Sequence, residues 1–502
     1  MRAVYARARA PTALSICAML QMRTSSASPA ILRLYICARN PALRSPARRV
    51  NLTTRAESGK TTRAPSVTIL GGGAAGMTAA WFAAEAGAEV TVLERTREAG
   101  KKILMSGGSR CNVLPAEVEL ERDFFTSGSH NQLRSVFRTW SLSGALEWLA
   151  DPSQVGLGLT LEEETNKYFP TSNSSKEVRD RLVAGATRRG VRVRYNASVE
   201  RLTQRPDGAW VVGCADGSEV TSDRVVVATG GLSFPAVGTD GTGLRLLRSA
   251  GHTLETTYPA LTPLTGPHPH GDQLAGVSLY EVDVRCIEAP AKARAADPEA
   301  QTDGPAAKKR KKKNKVHSAM RSGMLFTHKG YSGPSILDLS HYAVQALEEG
   351  SPRPKLVVDW TGDGREVWEQ RLQAPGKGLI STRLKKELPS RLAEAILQEA
   401  GVPEERRVSE MRKDERIKLL ELLTAYNLDY QGHQGYKKAE VTGGGVPLSE
   451  INLKTLESKV IPGAYLCGEI CDVFGRIGGF NFYWAWVSGR LAGTNAATPI
   501  EM

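Results

Sequence analysis

The chain is 502 residues long, room for about three units at roughly 150 residues per domain. An apolar content of 41% supports buried cores, aromatics at 6% suit a Gly- and Ala-rich α/β protein better than a β-sandwich, and the lack of any run of about 18 apolar residues excludes a hydrophobic membrane span. The formal charge of +13 is a poor guide to partners: eleven Arg and Lys60 fall in residues 1–63 against one acid, Glu57, seven more cations fall in 308–315, and the remainder is net acidic.

Residues 1–63, rich in Arg, Ala, Ser and Thr, have the composition of an organelle transit peptide. The apolar stretch at 14–20 is too short, and too closely followed by Arg, for a secretory signal. The hydroxyl cluster Thr24, Ser25, Ser26 and Ser28 points to a chloroplast first and a mitochondrion second. The seven Cys are scattered, and Cys467 with Cys471 has neither a zinc nor a thioredoxin spacing. A reducing intracellular compartment is the default for such a set.

Order is expected from residue 66. A short apolar strand at 67–70 runs into the turn Gly71-Gly72-Gly73-Ala74-Ala75-Gly76, then a helix at 74–86 and a second strand at 89–93 that ends at Glu94. This is a G-x-G-x-x-G between a strand and a helix, with an acid 18 residues beyond the last glycine. Gly71 permits the tight turn, Gly73 lets a pyrophosphate approach the backbone, and Gly76 allows close packing of helix on strand. Ala74 and Ala75 open the helix, whose free N–H groups and positive dipole end attract phosphate. Glu94, with Arg95 beside it, is placed to accept hydrogen bonds from an adenosine ribose. An acid there fits a ribose without a 2′-phosphate, hence FAD or NAD.

The next segment decides between them. Lys102, Ser106, Gly107, Gly108, Arg110, Cys111 and Asn112 belong to a second Gly/Ser-rich, cationic loop, which a long cofactor such as FAD needs and an NAD dehydrogenase does not. Further contacts are expected from Val199, which follows a strand and offers its backbone to adenine, and from Thr229, Gly230 and Gly231 after the strand at 224–228.

From about 258 the pattern changes. Residues 258–363 read as an inserted β domain, within which 288–316 is a polar, basic, disordered insert. Residues 364–440 read as helical, with Leu384, Leu388, Leu392 and Ile396 at spacings of four. The nucleotide-binding domain, begun at 64–257, resumes at 441–502. There Gly468 and Glu469 follow a strand, Glu469 is suited to ribityl hydroxyls with Asp472 as the alternative acid, and Gly478, Gly479, Phe480 and Asn481 open the last helix. Its N–H groups, aimed at the N1–C2=O edge of a flavin, would stabilise the reduced form. Trp484 and Trp486 are expected to pack that helix.

Several motifs in this order resemble a known family. They are 67–94, Gly107-Gly108-Ser109-Arg110-Cys111-Asn112, 228–235 running on to Gly251-His252, 325–334, Val441-Thr442-Gly443-Gly444-Gly445-Val446, 468–472, and 478–486. The chain is identified as resembling the bacterial-type FAD/NAD(P)-binding flavoprotein oxidoreductases that include aminoacetone oxidase and bile-acid 3-dehydro reductases. Ser109, where that family usually has Gly, and the basic insert are departures. The resemblance implies an α/β fold: a two-part Rossmann-like FAD-binding domain with an inserted β-barrel-like domain and a helical domain.

The expected function is an FAD-dependent oxidoreductase acting on a small organic substrate. No second Rossmann turn occurs, so NAD(P)H is expected at most as a transient reductant over the flavin, or the substrate itself reduces it. No catalytic acid or base is evident; His328, within 325–334, is the one weak candidate, and no metal site is expected. Two other readings stay open. One is a flavin-dependent nucleic-acid-modifying enzyme, prompted by the basic run at 308–313, which lacks the interleaved aromatics that stack bases. The other is a non-catalytic flavin-binding regulator.

Overall fold

The computed structural model describes residues 62–288, 315–318, 321–373 and 378–501. The expected transit peptide, apart from its last two residues, and most of the basic insert therefore lie outside the described residues. Residues 61–502 form one compact unit.

Its centre is a five-stranded, wholly parallel sheet. The strands are β1 (Ser66–Leu70), β2 (Glu89–Leu93), β3 (Arg192–Arg194), β4 (Arg224–Val227) and β5 (Ala464–Leu466), in the spatial order β5-β4-β1-β2-β3. Val67, Ile69, Leu70 and Val225 to Val227 are all buried, the near-continuous apolar run expected of strands covered on both faces. From β1 the chain builds outward through β2 to β3, then returns to the other side of β1 with β4. That reversal is a switch point, where loops diverge and leave a crevice beyond the carboxyl ends of the strands. β5 comes from the far end of the sequence, so the sheet is completed by both ends of the described chain.

Helix α1 (Ala74–Glu85) leaves β1 and helix α2 (Phe480–Ala496) follows β5. Small residues let them lie against each other. A side chain at Gly493 would come within 2.2 Å of the Ala79 carbonyl, and one at Gly489 within 2.6 Å of the Ala75 carbonyl. Trp486 donates to the Val113 carbonyl and Trp484 to the Gly468 carbonyl, so both tryptophans hold α2 in place.

Buried residues between Leu264 and Tyr430 form a second core. Its antiparallel sheet runs in the order 426–428, 355–359, 278–287, 322–327, 330–332, 264–265, 432–433. The two end strands are consecutive in the chain, Tyr426–Leu428 and Gly432–His433, so the sheet must curl until its edges approach. The curled sheet is the β-barrel-like part, and helices Gly364–Gln373, Ser390–Ala400 and Lys413–Thr424 contribute to the same core. The expected insert is narrower than read from composition: Val316 pairs with Ile287, and the Glu288 N–H donates to the Lys315 carbonyl. Glu288 and Lys315 thus stand at the tip of a hairpin, and residues 289–314 lie outside the described residues. Among the described residues no helix is long and apolar enough to cross a membrane.

Candidate active site

A continuous cavity of about 330 Å³ lies at the switch point, beyond the carboxyl ends of β1, β2, β4 and β5. Its first wall is the turn after β1. Gly71 has φ +101°, and a side chain there would meet the Ala228 carbonyl at 2.6 Å, so only glycine fits. Gly76 lies behind the turn rather than on the cavity; a Cβ there would lie 1.9 Å from the Gly71 carbonyl, which is the close helix–strand approach expected of the third glycine. Gly73, Ala74 and Ala75 face the cavity, and a Cβ on Gly73 would meet nothing within 4 Å. Helix α1 begins with no capping side chain and no acid in its first turn. Its orphan N–H groups therefore open onto the cavity, a setting that favours an anion by about 0.3–1 kcal/mol from the dipole alone.

Glu94 lines the cavity at the end of β2, held by the Gly72 N–H (2.9 Å) and by the Thr96 N–H and hydroxyl (both 2.8 Å). Arg95 also lines it, paired with Asp240 at 2.6 Å. Val199 sits beside them, and Thr229 and Gly230 close this end from β4. Gly231 packs instead against Thr442 and Glu469.

The loop after β2 divides. Lys102, Ser106, Gly107 and Asn112 face the cavity. Gly108, Arg110 and Cys111 do not. Ser109 and Cys111, at φ 71° and 62°, turn the chain away. Arg110 reaches Glu162 (2.6 Å) and Asn173 (2.8 Å) and lies over the Phe169 ring. Cys111 is fully buried, and burial pushes its thiol up to about 12, so it supplies no thiolate.

The C-terminal wall comes from Gly468, Glu469, Gly478, Gly479 and Asn481. Glu469 is already bound: it pairs with Lys102 at 2.8 Å and accepts from the Ser233 hydroxyl (2.8 Å) and the Thr442 N–H (2.9 Å). Asp472, the alternative acid, points elsewhere, buried and captured by the Ser127 N–H at 2.7 Å. Phe480 is buried against Phe124 and does not reach the cavity. The Asn481 amide braces the loop before it, accepting from the Gly475 N–H and donating to the Gly475 carbonyl. Helix α2, like α1, begins without a capping side chain or an acid in its first turn. Two uncapped helix N-termini thus face one cavity, the arrangement a dinucleotide with two anionic groups would need. His328 is exposed at a hairpin turn of the inserted sheet, outside the cavity wall.

Sequence reasoning missed Glu440, which lines the cavity just before the Val441–Gly445 strand. Its side chain makes no hydrogen bond or salt bridge among the described residues. Glu440 is exposed toward the cavity yet ringed by protein; that crowding, with Asp338 nearby, pushes it up to about 7 against the opposing pull of Lys167 and Lys102. An acid abutting an otherwise uncharged glycine-rich strand was the available signal.

The profile of the HI0933-like protein Rossmann domain matches residues 65–495. The chain belongs to that family. Membership bears out the resemblance read from the motifs, the Rossmann-like α/β fold and the class of FAD-dependent oxidoreductase. The chain is similar to the ribosomal RNA dihydrouridine synthase of Escherichia coli, 29% identical over 426 residues that cover 84% of this chain and 95% of the other. It is equally similar, at 29%, to the 3-dehydro-bile acid delta(4,6)-reductase of Clostridium scindens, covering 86% of this chain and 98% of that one. Among solved structures, the 3-ketosteroid-delta4-(5alpha)-dehydrogenase of Rhodococcus jostii aligns at TM-score 0.43 and 18% identity over 89% of this chain and 99% of that one.

Proposed function

We propose that this protein is an FAD-dependent reductase that saturates a carbon–carbon double bond conjugated to a carbonyl group. The observation that carries this reading is the cavity itself, with an uncapped helix N-terminus at the β1 turn and a second at Gly479. Bound FAD would supply hydride chemistry there; the protein positions and tunes it. Gly73 to Ala75 would receive the pyrophosphate, Glu94 the adenosine ribose, and Gly478, Gly479 and Asn481 the flavin end. Lys102 and Glu469, on the wall between, form a fixed polar network with Ser233 and Thr442. The names of the two relatives support the substrate class: making dihydrouridine saturates a uracil ring, and a delta(4,6)-reductase saturates steroid double bonds. Both act beside a carbonyl. NAD(P)H is the proposed reductant, docking transiently over the flavin.

The test is anaerobic. Protein reduced chemically or by NAD(P)H is mixed with small cyclic enones, a 3-oxo-Δ4 steroid acid, uridine and a uridine-containing ribosomal RNA fragment. Return of oxidised flavin with one equivalent of saturated product supports the reading; no reoxidation by any conjugated carbonyl overturns it.

A second reading narrows the substrate to a uracil base within RNA. The relative's name favours it, and so does the run Lys308 to Lys313, carried between residues anchored at a hairpin tip. Replacing 289–314 by a short turn should then remove turnover on RNA while sparing free enones. We also propose that residues 1–63 direct the chain to a plastid, or failing that a mitochondrion. A reporter fused to 1–63 should reach the organelle and one fused to 64–502 should not.

A further inference from the structure

We propose that Glu440 is the acid that gives a proton to the substrate in this cavity; this rests on the reductase reading above. Four carboxyl groups stand in the cavity wall: Glu94, Asp240, Glu440 and Glu469. Three are committed. Glu94 is held by the Gly72 and Thr96 N–H groups, Asp240 by Arg95, and Glu469 by Lys102, Ser233 and Thr442. The Glu440 carboxyl alone has neither a hydrogen bond nor a salt bridge among the described residues.

Its backbone is nonetheless fixed. The N–H donates to the Leu261 carbonyl at 3.2 Å, and the following strand pairs with 255–260. Glu440 therefore stands on a rigid support, exposed at the cavity wall. Three charged groups act on it: Asp338 from the helix Pro334–Glu348, Lys167 from the hairpin strand Lys167–Pro170, and Lys102 from across the wall. Asp338 is buried and accepts from the Ile477 N–H at 2.8 Å, and Lys167 lies against Gly478, where a Cβ would fall 2.5 Å from its Cε. The group is thus gathered around the loop that leads into α2, at the end of the cavity assigned to the flavin. An acid titrating near neutrality suits proton transfer at working pH.

In the proposed reaction, one carbon of the substrate's double bond would gain a hydride equivalent, which reduced FAD, when bound, would supply. The other carbon gains the proton of Glu440, its O–H bond breaking as the C–H bond forms. The carboxylate then recovers a proton from water.

The experiment compares FAD-loaded wild-type protein with Glu440→Gln and Glu440→Asp. FAD content and melting temperature should be unchanged, since the Glu440 side chain holds nothing in place. Absorbance of the oxidised flavin, followed against pH, should show a step near 7 in the wild type, lost in Glu440→Gln and displaced in Glu440→Asp. Reoxidation of the reduced protein by a conjugated carbonyl should fall about a hundredfold or more in Glu440→Gln, while reoxidation by ferricyanide is unaffected. In the wild type the carbonyl-driven rate should decline as pH rises through 7, because the donor must be protonated. A flavin step that is absent, or that survives in Glu440→Gln, overturns the assignment even where turnover is seen. A step lost in Glu440→Gln, with no conjugated carbonyl accepted by the wild type, instead overturns the reductase reading and leaves Glu440 as the acid titrating at the flavin.

Discussion

Buried side chains at 67–247 and again from 446 pack around a parallel sheet whose carboxyl ends diverge. Those between 264 and 430 pack around an antiparallel sheet that curls until its first and last strands are joined by three residues. The first arrangement leaves a crevice; the second fills its own interior. Accordingly, every residue of the cavity wall comes from 70–242 or 440–485, and none from 264–430. The insert acts on the site from behind, through Asp338 at the Ile477 N–H and at Arg476. One region is therefore built to hold a cofactor and the other to support the loop that leads into α2.

Substitutions can test that division. Gly73→Val should have the largest effect: FAD binding should weaken by about a thousandfold, roughly 4 kcal/mol, as the side chain fills the space where pyrophosphate meets the backbone. Because a Cβ there meets no protein atom, the melting temperature of the FAD-free protein should hold. A variant that loses stability instead would place the turn in the core and not at the site. In the other region, Leu392→Ala removes a fully buried side chain and should cost about 2–4 kcal/mol of stability, measured by chemical denaturation, while FAD affinity in the folded protein is unchanged. Loss of FAD affinity there would show that the two regions are not separable in function.

Smaller effects sharpen the boundary of the site. Lys102→Met leaves Glu469 without its cationic partner, though still held by Ser233 and Thr442, and FAD binding should weaken by about tenfold, roughly 1.4 kcal/mol. Arg110→Ala, by contrast, touches only Glu162, Asn173 and Phe169. It should change stability by about 1 kcal/mol at most and leave FAD content, read from flavin absorbance, as in the wild type.

What could be read from the sequence was local. The strand, turn, helix and second strand at 66–93 follow from apolar runs and from glycines whose backbone needs are met within a few residues. Glu94 and the Gly478-Gly479 helix start are legible for the same reason. The failures depend on long-range contacts. Arg110 and Cys111 turn away because two non-glycine residues adopt left-handed backbone, and Asp472 is captured by the N–H of Ser127, which is 345 positions away. His328 sits in a motif yet occupies an exposed hairpin turn. Glu440 was invisible because its freedom is defined by what its neighbours bind, and only the folded arrangement reveals that.

The account stands most directly on the identity of the cofactor. Purified full-length protein should be yellow, and denaturation should release FAD, one per chain. Released FMN, or no flavin after reconstitution with FAD, would contradict it.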